Sequence, residues 1–215
     1  MNLSCQIANG EMRGSKIGCV LALDFKHKDG DSFMDRSVYG HLCTNHGSKW
    51  QLDGRYFNGS SDYIGVSPAG SLPDFKTTLA WIKLLSVPAD WTAIVNKTTA
   101  GSYLFALRSG GKLEMYLRTT LLEDGAGRTK SPLPLGLGLL TGATYDGADV
   151  RYYIQGDLDD TKSFAGGPLK KLLYDYQIGG QTGYTRWFHG SIREILTYSF
   201  ADYAPRILER AIEGG

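Results

Sequence analysis

The sequence predicts an all-β protein, a two-sheet antiparallel sandwich with one short helix at its C-terminus. The chain has 215 residues, a length that β-sandwiches often reach as a single domain. Its 28 glycines stand beside 13 tyrosines and 8 phenylalanines, a combination typical of short strands joined by tight turns. Runs of alternating apolar and polar residues, separated by Gly-Gly or Asp-Gly pairs, recur along the chain and are typical of β-hairpins.

The first strands are predicted from apolar runs that end at turn signals. Residues 17–25 (IGCVLALDF) are apolar and partly β-branched, which predicts a buried strand. Residues 50–66 contain the pairs Asp53-Gly54 and Asn58-Gly59. Both pairs tolerate the positive φ that hairpin turns require, so we expect short strands on either side of each pair.

Alternation predicts the remaining strands. In residues 75–85 it places Leu79, Trp81 and Lys83 on one face. The pairs Gly110-Gly111 and Asp146-Gly147 each join two alternating runs and therefore predict hairpins. The predicted strands are residues 75–85, 91–97, 103–109, 112–118, 139–146, 150–155, 172–178 and 187–198.

The chain is predicted to end in a helix. Asp202 is suited to the N-cap, and Pro205 falls in the first turn, where a missing N–H costs little. We therefore expect two parts, an N-terminal extension over residues 1–16 and one sandwich over residues 17–215. The apolar residues at helical spacing are Ala204, Ile207, Leu208, Ala211 and Ile212.

Composition argues against nucleic acid and membrane as partners. The formal net charge is +1, and the longest basic run is Lys170-Lys171, whereas phosphate neutralisation needs a clustered excess of Lys and Arg. No apolar run approaches the roughly 20 residues that span a bilayer. Residues 1–10 lack the basic and apolar regions of a secretory signal, so export by that route is not expected.

The three cysteines are Cys5, Cys19 and Cys43. An odd number without Cys-x-x-Cys spacing does not indicate a disulfide framework. Buried thiols in a reducing compartment are the favoured interpretation, and a single Cys5–Cys19 or Cys19–Cys43 bridge stays open.

Seven short segments, in order, resemble the concanavalin A-like lectin/glucanase superfamily and its laminin-G-like domains. Residues 56–64 (YFNGSSDYI), for example, are similar to the family pattern F-D/N-G-x-x-D-Y-I/V. The resemblance implies a jelly-roll sandwich from about residue 17 onwards. It indicates function less strongly, because this fold hosts lectins, glucanases, adhesion modules and structural proteins. The segments are residues 56–64, 75–83, 91–97, 143–147, 153–156, 178–180 and 188–195.

Two positions depart from the family pattern. Gly138 stands where the family often carries Trp. Arg193 stands where many members carry an Asp that, with a first-strand Asp, helps to hold Ca²⁺. Asp24 is the weak calcium candidate that remains, but a guanidinium in the shell disfavours a cation that needs six to eight oxygens. An Asp24–Arg193 ion pair is the alternative.

The sequence shows no catalytic motif, and we expect a protein that is not an enzyme. Glycoside hydrolases of this fold place two carboxylates on one face of a strand, yet Glu114 and Glu194 have no acidic partner two or four residues further on. Glu11, Glu123, Glu209 and Glu213 form no such motif either. The histidines, His27, His41, His46 and His189, lack zinc-site spacing. His41 and His46, with Asn45, are expected in a polar loop.

The first candidate ligand site is the Gly-rich segment 179–189, which contains both aromatic and polar residues. Sugars stack on aromatic rings while polar groups bond their hydroxyls. A second candidate is the polar segment 121–130, expected to be a loop. Trp50, Trp81, Trp91 and Phe188 are expected in the core, and Asp35, Ser37, Asp62 and Asp146 are expected to fix turns. The candidate ligand residues are Gln181, Tyr184, Arg186, Trp187 and His189.

The resulting functional hypothesis is a non-catalytic, lectin-like module that recognises glycans or a protein surface. The alternative is a structural or decoration protein of a virus or phage particle, with capsid or tail partners and a place on the virion surface or another extracellular assembly. A glycoside hydrolase is the third and least favoured hypothesis.

Overall fold

The computed structural model describes residues 6–8, 11–13, 18–67, 76–97, 103–170 and 175–201. Within these ranges every regular element is a β-strand. The first nine are β1 (Gln6–Ala8), β2 (Glu11–Arg13), β3 (Cys19–Asp24), β4 (Ser32–Met34), β5 (Leu42–His46), β6 (Lys49–Gln51), β7 (Gly54–Asn58), β8 (Tyr63–Ser67) and β9 (Thr77–Leu84). The others are β10 (Thr92–Lys97), β11 (Tyr103–Arg108), β12 (Lys112–Arg118), β13 (Glu123–Arg128), β14 (Gly138–Tyr145), β15 (Asp149–Ile154), β16 (Asp157–Ser163), β17 (Tyr176–Ile178) and β18 (His189–Tyr198).

Two eight-stranded antiparallel sheets form the sandwich, which confirms the predicted fold class. The first sheet runs β13-β12-β11-β10-β17-β8-β5-β4. The second runs β16-β15-β14-β9-β18-β7-β6, and β3 also pairs with β18. Strands β1 and β2 form a separate two-stranded sheet. The predicted C-terminal helix lies outside the described residues.

The core lies between the two sheets and contains residues from both, such as Leu23, Phe57, Ile82 and Phe105. Phe188 is fully buried there, as predicted. Burial of such side chains contributes about 1.5–3 kcal/mol each to folding. The two hairpins predicted at Gly-Gly and Asp-Gly form as β11–β12 and β14–β15.

The prediction that Trp50, Trp81 and Trp91 pack in the core or between the sheets is confirmed only in part, because Trp81 is buried but none of the three belongs to the cluster between the sheets. Trp81 packs in an apolar cluster apart from the core, and Trp91 packs against the small cluster around Leu104. Trp50 is half-buried on β6. Strand alternation separates two faces but does not say which one faces inward. In β9 the inward residues are the even-numbered ones, including Ile82.

Two segments predicted as loops are strands. Residues 123–128 form β13 at the edge of the first sheet. Residues 42–46, with Asn45 and His46, form β5, while His41 is buried with its Nδ1 2.9 Å from Oδ2 of Asp35. These strands are polar because they lie at or near a sheet edge, so they lack the apolar alternation that would reveal them.

The predicted turn-fixing roles are confirmed. The carboxylate of Asp35 accepts hydrogen bonds from the N–H groups of Ala22, Ser37 and His41. Ser37 Oγ accepts one from the N–H of Tyr39. Asp62 accepts one from the N–H of Asn58, and Asp146 accepts two, from Ala148 and Asp149.

The predicted Asp24–Arg193 ion pair does not form. Asp24 lies 3.6 Å from a guanidinium nitrogen of Arg36 and accepts a hydrogen bond from the N–H of Lys26. The guanidinium of Arg193 lies over the ring of Trp81 instead.

Two of the three cysteines lie within the described residues. No disulfide joins Cys19 to Cys43, and both are buried. Burial, with a smaller effect of the Asp35 charge, raises the pKa of the Cys43 thiol to about 12. Cys5 lies outside the described residues.

Candidate functional site

A cleft of about 240 Å³ opens on the outer face of the first sheet, beside strand β10. We call it the Arg186 cleft. It brings together three of the five predicted ligand residues, Gln181, Tyr184 and Arg186. The residues that line it are Trp91, Tyr103, Leu104, Tyr116, Glu123, Gln181, Tyr184 and Arg186.

Gly179 positions the segment that supplies these three residues. Its φ is +75°, and a Cβ there would lie 2.3 Å from the ring of Phe57. Its N–H donates to the carbonyl of Ile94, and its carbonyl accepts from the N–H of Phe188. Only glycine fits this backbone conformation beside a core aromatic ring. Gly179 therefore fixes the position of the segment 179–188 on the first sheet.

Hydrogen bonds to buried side chains also hold the segment 179–188 in place. Nδ2 of Asn96 donates to the carbonyl of Gly180. Gln177 and Thr182 exchange two hydrogen bonds of 2.7 and 2.9 Å. The N–H of Ala93 donates to the carbonyl of Arg186. With its backbone bonded in this way, the segment presents its side chains in one arrangement.

The guanidinium of Arg186 lies near two aromatic rings. Its guanidinium carbon lies 4.6 Å from the ring centroid of Tyr184 and 5.4 Å from that of Trp91, within range of cation–π attraction. Nη1 donates a 2.9 Å hydrogen bond to Oε1 of Gln181, which is only 2% exposed. Burial lowers the pKa of Arg186, opposed by the nearby Tyr184 and Asp90.

Tyr116 and Glu123 add an aromatic ring and a carboxylate to the lining of the Arg186 cleft. Tyr116 meets Trp91 edge to face, with centroids 6.1 Å apart. Burial and then the charge of Glu123 raise the pKa of Tyr116. Glu123 lies 2.8 Å from Nε of Arg118. The lining of the cleft therefore includes a hydroxyl and a carboxylate as well as the Arg186 guanidinium.

Sequence reasoning missed Trp91 and Tyr116 as lining residues, whereas Glu123 lies in the polar segment 121–130 that was the second candidate. The three residues come from different strand regions, so only the pairing of β10, β11, β12, β13 and β17 brings them to the segment 179–188. A signal was present in β12, where alternation puts Tyr116 on the same outward face as Glu114 and Arg118.

The other two predicted ligand residues are not among those that line this cleft. Trp187 packs against Gly180 and Tyr63, with a ring separation of 6.3 Å from the latter. His189 is held by Ser86, whose Oγ is 2.9 Å from Nδ1, and its Nε2 lies 3.4 Å from the hydroxyl of Tyr56.

A larger cleft, of about 530 Å³, lies on the outer face of the second sheet. We call it the Arg193 cleft. Gly138, the position at which the family pattern often has Trp, is part of its wall. The residues that line it are Lys26, Leu52, Asp53, Trp81, Ile82, Lys83, Gly136, Leu137, Gly138, Ser191 and Arg193.

Gly54 gives this second cleft its polar corner. A Cβ at Gly54 would lie 2.4 Å from the carbonyl oxygen of Ile192, so glycine allows the β6–β7 turn to approach β18 closely. The approach places Oδ1 of Asp53 3.4 Å from Oγ of Ser191 and Oδ2 3.1 Å from Nζ of Lys83.

The fold and these segments match one known family. The Laminin_G_3 family of the concanavalin A-like lectin/glucanases superfamily matches residues 58–207, more than half of the chain. The chain belongs to this superfamily. No curated protein is significantly similar to it in sequence.

Solved structures with the same fold include parts of two carbohydrate-active enzymes. The chain is similar to domain 4 of AbnA, an extracellular GH43 arabinanase from Geobacillus stearothermophilus solved with arabinotriose. The identity is 17%, the TM-score is 0.69, and 90% of this chain and 98% of that domain are covered. It is also similar to a mutant Trypanosoma rangeli sialidase that displays trans-sialidase activity, at 15% identity and a TM-score of 0.67. That match covers 92% of this chain but only 33% of the sialidase.

Each cleft of this superfamily member has one carboxylate among its described lining residues, Glu123 in one and Asp53 in the other. Glu114 lines neither cleft, and Arg108 and Arg128 hold its carboxylate at 3.3 and 2.8 Å. Burial raises the pKa of Glu114.

In the part of the chain that the structure describes, no three His, Cys, Asp or Glu side chains, Asp24 included, group to hold a metal ion. That part also contains no helix with the length and hydropathy needed to cross a bilayer.

Proposed function

We propose that the chain is a non-catalytic module that binds a glycan in the Arg186 cleft. The observation that carries the proposal is that Arg186 lies near the rings of Tyr184 and Trp91 in a cleft that Tyr116 and Glu123 also line. One cleft thus contains aromatic faces together with hydrogen-bond donors and acceptors.

This combination suits a sugar ring, which has an apolar C–H face and a rim of hydroxyls. Tyr184 is 44% exposed, so its ring is accessible to the C–H face of a sugar. Arg186 donates to hydroxyl oxygens, and Glu123 accepts from hydroxyl protons. The cleft volume, about 240 Å³, is suited to a short stretch of glycan rather than a long one.

The rigidity of the segment 179–188 also favours binding. Its backbone is bonded to Asn96, Ala93 and Ile94 before any ligand arrives. A preorganised site loses little conformational entropy on binding, which leaves more of the contact energy as affinity.

The solved structures with this fold support a sugar ligand. One of them is a domain of an arabinanase solved with arabinotriose, and another belongs to a sialidase. The single carboxylate in each cleft supports a role without catalysis, since glycoside hydrolysis uses two carboxyl groups across the scissile bond.

The test is a glycan array followed by calorimetric titration of the best glycan, with arabinotriose as a defined additional probe. We expect binding that the Tyr184→Ala substitution weakens about tenfold, the loss typical of a stacking contact. Tyr39→Ala is the matched control, because Tyr39 is equally exposed at 49% but lies outside the cleft. An array without any bound glycan, or equal losses in both variants, would overturn the proposal.

A further inference from the structure

We propose that the Arg193 cleft is a second binding site, separate from the first, and that it takes a sugar that carries a carboxylate. It lies on the outer face of the second sheet, whereas the Arg186 cleft lies on the outer face of the first. The two sites are therefore on opposite sides of the sandwich, and neither shares a lining residue with the other.

The charges of the Arg193 cleft are unbalanced. Three cations line it, Lys26, Lys83 and Arg193, against the single carboxylate of Asp53. Asp53 is paired with Lys83 at 3.1 Å. Among the described residues, no carboxylate lies within ion-pair distance of Lys26 or Arg193. Two cations that converge on one concave surface without a counter-charge attract an anion, and the concave shape strengthens that attraction.

Arg193 is aimed into the cleft by the backbone. The pairing of β18 with β9 shifts register between Ile192 and Glu194, so Arg193 is the extra residue of a β-bulge. Bulges re-aim a side chain, and this one puts the guanidinium 5.9 Å from the ring centroid of Trp81. The carbonyl of Arg193 accepts a 2.9 Å hydrogen bond from the N–H of Phe25, which fixes the bulge.

The remaining wall favours a sugar over a simple fatty acid. Leu52 and Leu137 line the cleft and are exposed, so they offer apolar contact to a ring. Ser191 Oγ and the Asp53–Lys83 pair offer donors and acceptors for hydroxyls. An aliphatic tail would cover those polar groups without bonding to them, which costs affinity.

Gly138 keeps this site open. It faces Lys83 across the β14–β9 pairing, and a Cβ added to it would meet no atom within 4 Å. The empty space in front of Gly138 is therefore the cleft itself. A side chain at this position would therefore begin in open space and extend into the cleft.

The test titrates the full chain with methyl β-D-glucuronide and, as the matched neutral sugar, methyl β-D-glucoside. We expect the glucuronide to bind about tenfold more tightly at low ionic strength, because its carboxylate makes charge-assisted bonds. Near 1 M salt that preference should fall to about twofold or less, because the charges are screened.

Substitutions test whether the glucuronide binds in the Arg193 cleft. Gly138→Trp should abolish glucuronide binding, and Arg193→Gln and Lys26→Gln should each weaken it by about threefold to tenfold. Lys112→Gln, a cation outside the cleft, should not change it. Equal affinity for the two sugars, or glucuronide binding that Arg193→Gln, Lys26→Gln and Gly138→Trp leave intact, would sink the proposal.

Two further measurements distinguish this proposal from a failure at the Arg186 cleft and from selection of a carboxylate alone. Tyr184→Ala should leave glucuronide binding unchanged, so a failure at the Arg186 cleft and a failure here are distinguishable. Triglutamate tests whether the site selects the carboxylate alone. If triglutamate competes as well as the glucuronide does, the assignment to a sugar is wrong.

Discussion

The guanidinium carbon of Arg186 lies 5.4 Å from the ring centroid of Trp91. The two residues are far apart in the sequence, and Trp91 lies just before β10, whereas Arg186 follows β17. The hydrogen bond from the N–H of Ala93 to the carbonyl of Arg186 brings their backbones together. This contact adds the ring of Trp91 to the segment that contains Gln181, Tyr184 and Arg186, and so helps to form the cleft.

Replacing Gln181 with Ala should weaken glycan binding about fivefold to tenfold. Gln181 orients Arg186 through the 2.9 Å bond to Nη1, and loss of such a bond to a charged group costs about 1.5–3 kcal/mol, of which part falls on folding. Calorimetric titration of the array-selected glycan gives the affinity, and urea unfolding gives the stability. Gln51→Ala, on the exposed strand β6, is the control. An unchanged affinity would show that Gln181 does not position Arg186.

Replacing Gly179 with Ala should destabilise the fold by about 2–4 kcal/mol, because the new Cβ combines a left-handed backbone with overpacking. That Cβ would lie 2.3 Å from the Phe57 ring. Gly183 is the matched control, since its φ is +83° but a Cβ there meets nothing within 4 Å. Gly183→Ala should therefore cost only about 1 kcal/mol. Chemical denaturation measures both variants, and equal losses would contradict the steric argument.

Replacing Asp146 with Asn should change how stability depends on pH. Burial opposes ionisation of Asp146, but bonds from the N–H of Asp149, from Arg151 and from the N–H of Ala148 prevail and lower its pKa from 3.8 to about 2. A lowered pKa in the folded state stabilises the fold above the unfolded value, and this stability is lost as the pH falls through about 2.

Since Asp146 is about one-third exposed, we expect the substitution to cost only about 1 kcal/mol at pH 7. The cost should decline between about pH 4 and about pH 2, where the native carboxylate also becomes neutral. Urea unfolding across this range measures it. Asp157→Asn, an exposed position on β16, should show no such dependence. A cost that persists at about pH 2 would contradict the assignment.

The Cys43 thiol should resist alkylation in the folded protein at neutral pH. Its pKa is raised to about 12 by burial and by Asp35, so the reactive thiolate is scarce and the sulfur is fully buried. Peptide mapping after iodoacetamide treatment should find Cys43 unlabelled in buffer and labelled in urea. Rapid labelling of the native protein would show that this part of the first sheet opens readily.

The sequence predicted those parts of the fold that have local signals. The hairpins at Gly110-Gly111 and Asp146-Gly147 form as expected because their turns need residues that tolerate positive φ. The edge strands β13 and β16 have too few apolar residues to show alternation, so they could not be predicted from the residue pattern. The alternative role as a decoration protein, with capsid or tail partners on a virion surface, stays a prediction.

By itself, the sequence determined the fold class, the family and the segment that contains Gln181, Tyr184 and Arg186, because these depend on residue types that are close together in the chain. Only the tertiary structure decided which residues join that segment, since Trp91, Tyr116 and Glu123 arrive through long-range strand pairing. It also decided that Trp81 faces outward and that Gly138 opens a second cleft. Both depend on which face of a strand meets the opposite sheet, and alternation along one strand cannot specify that choice.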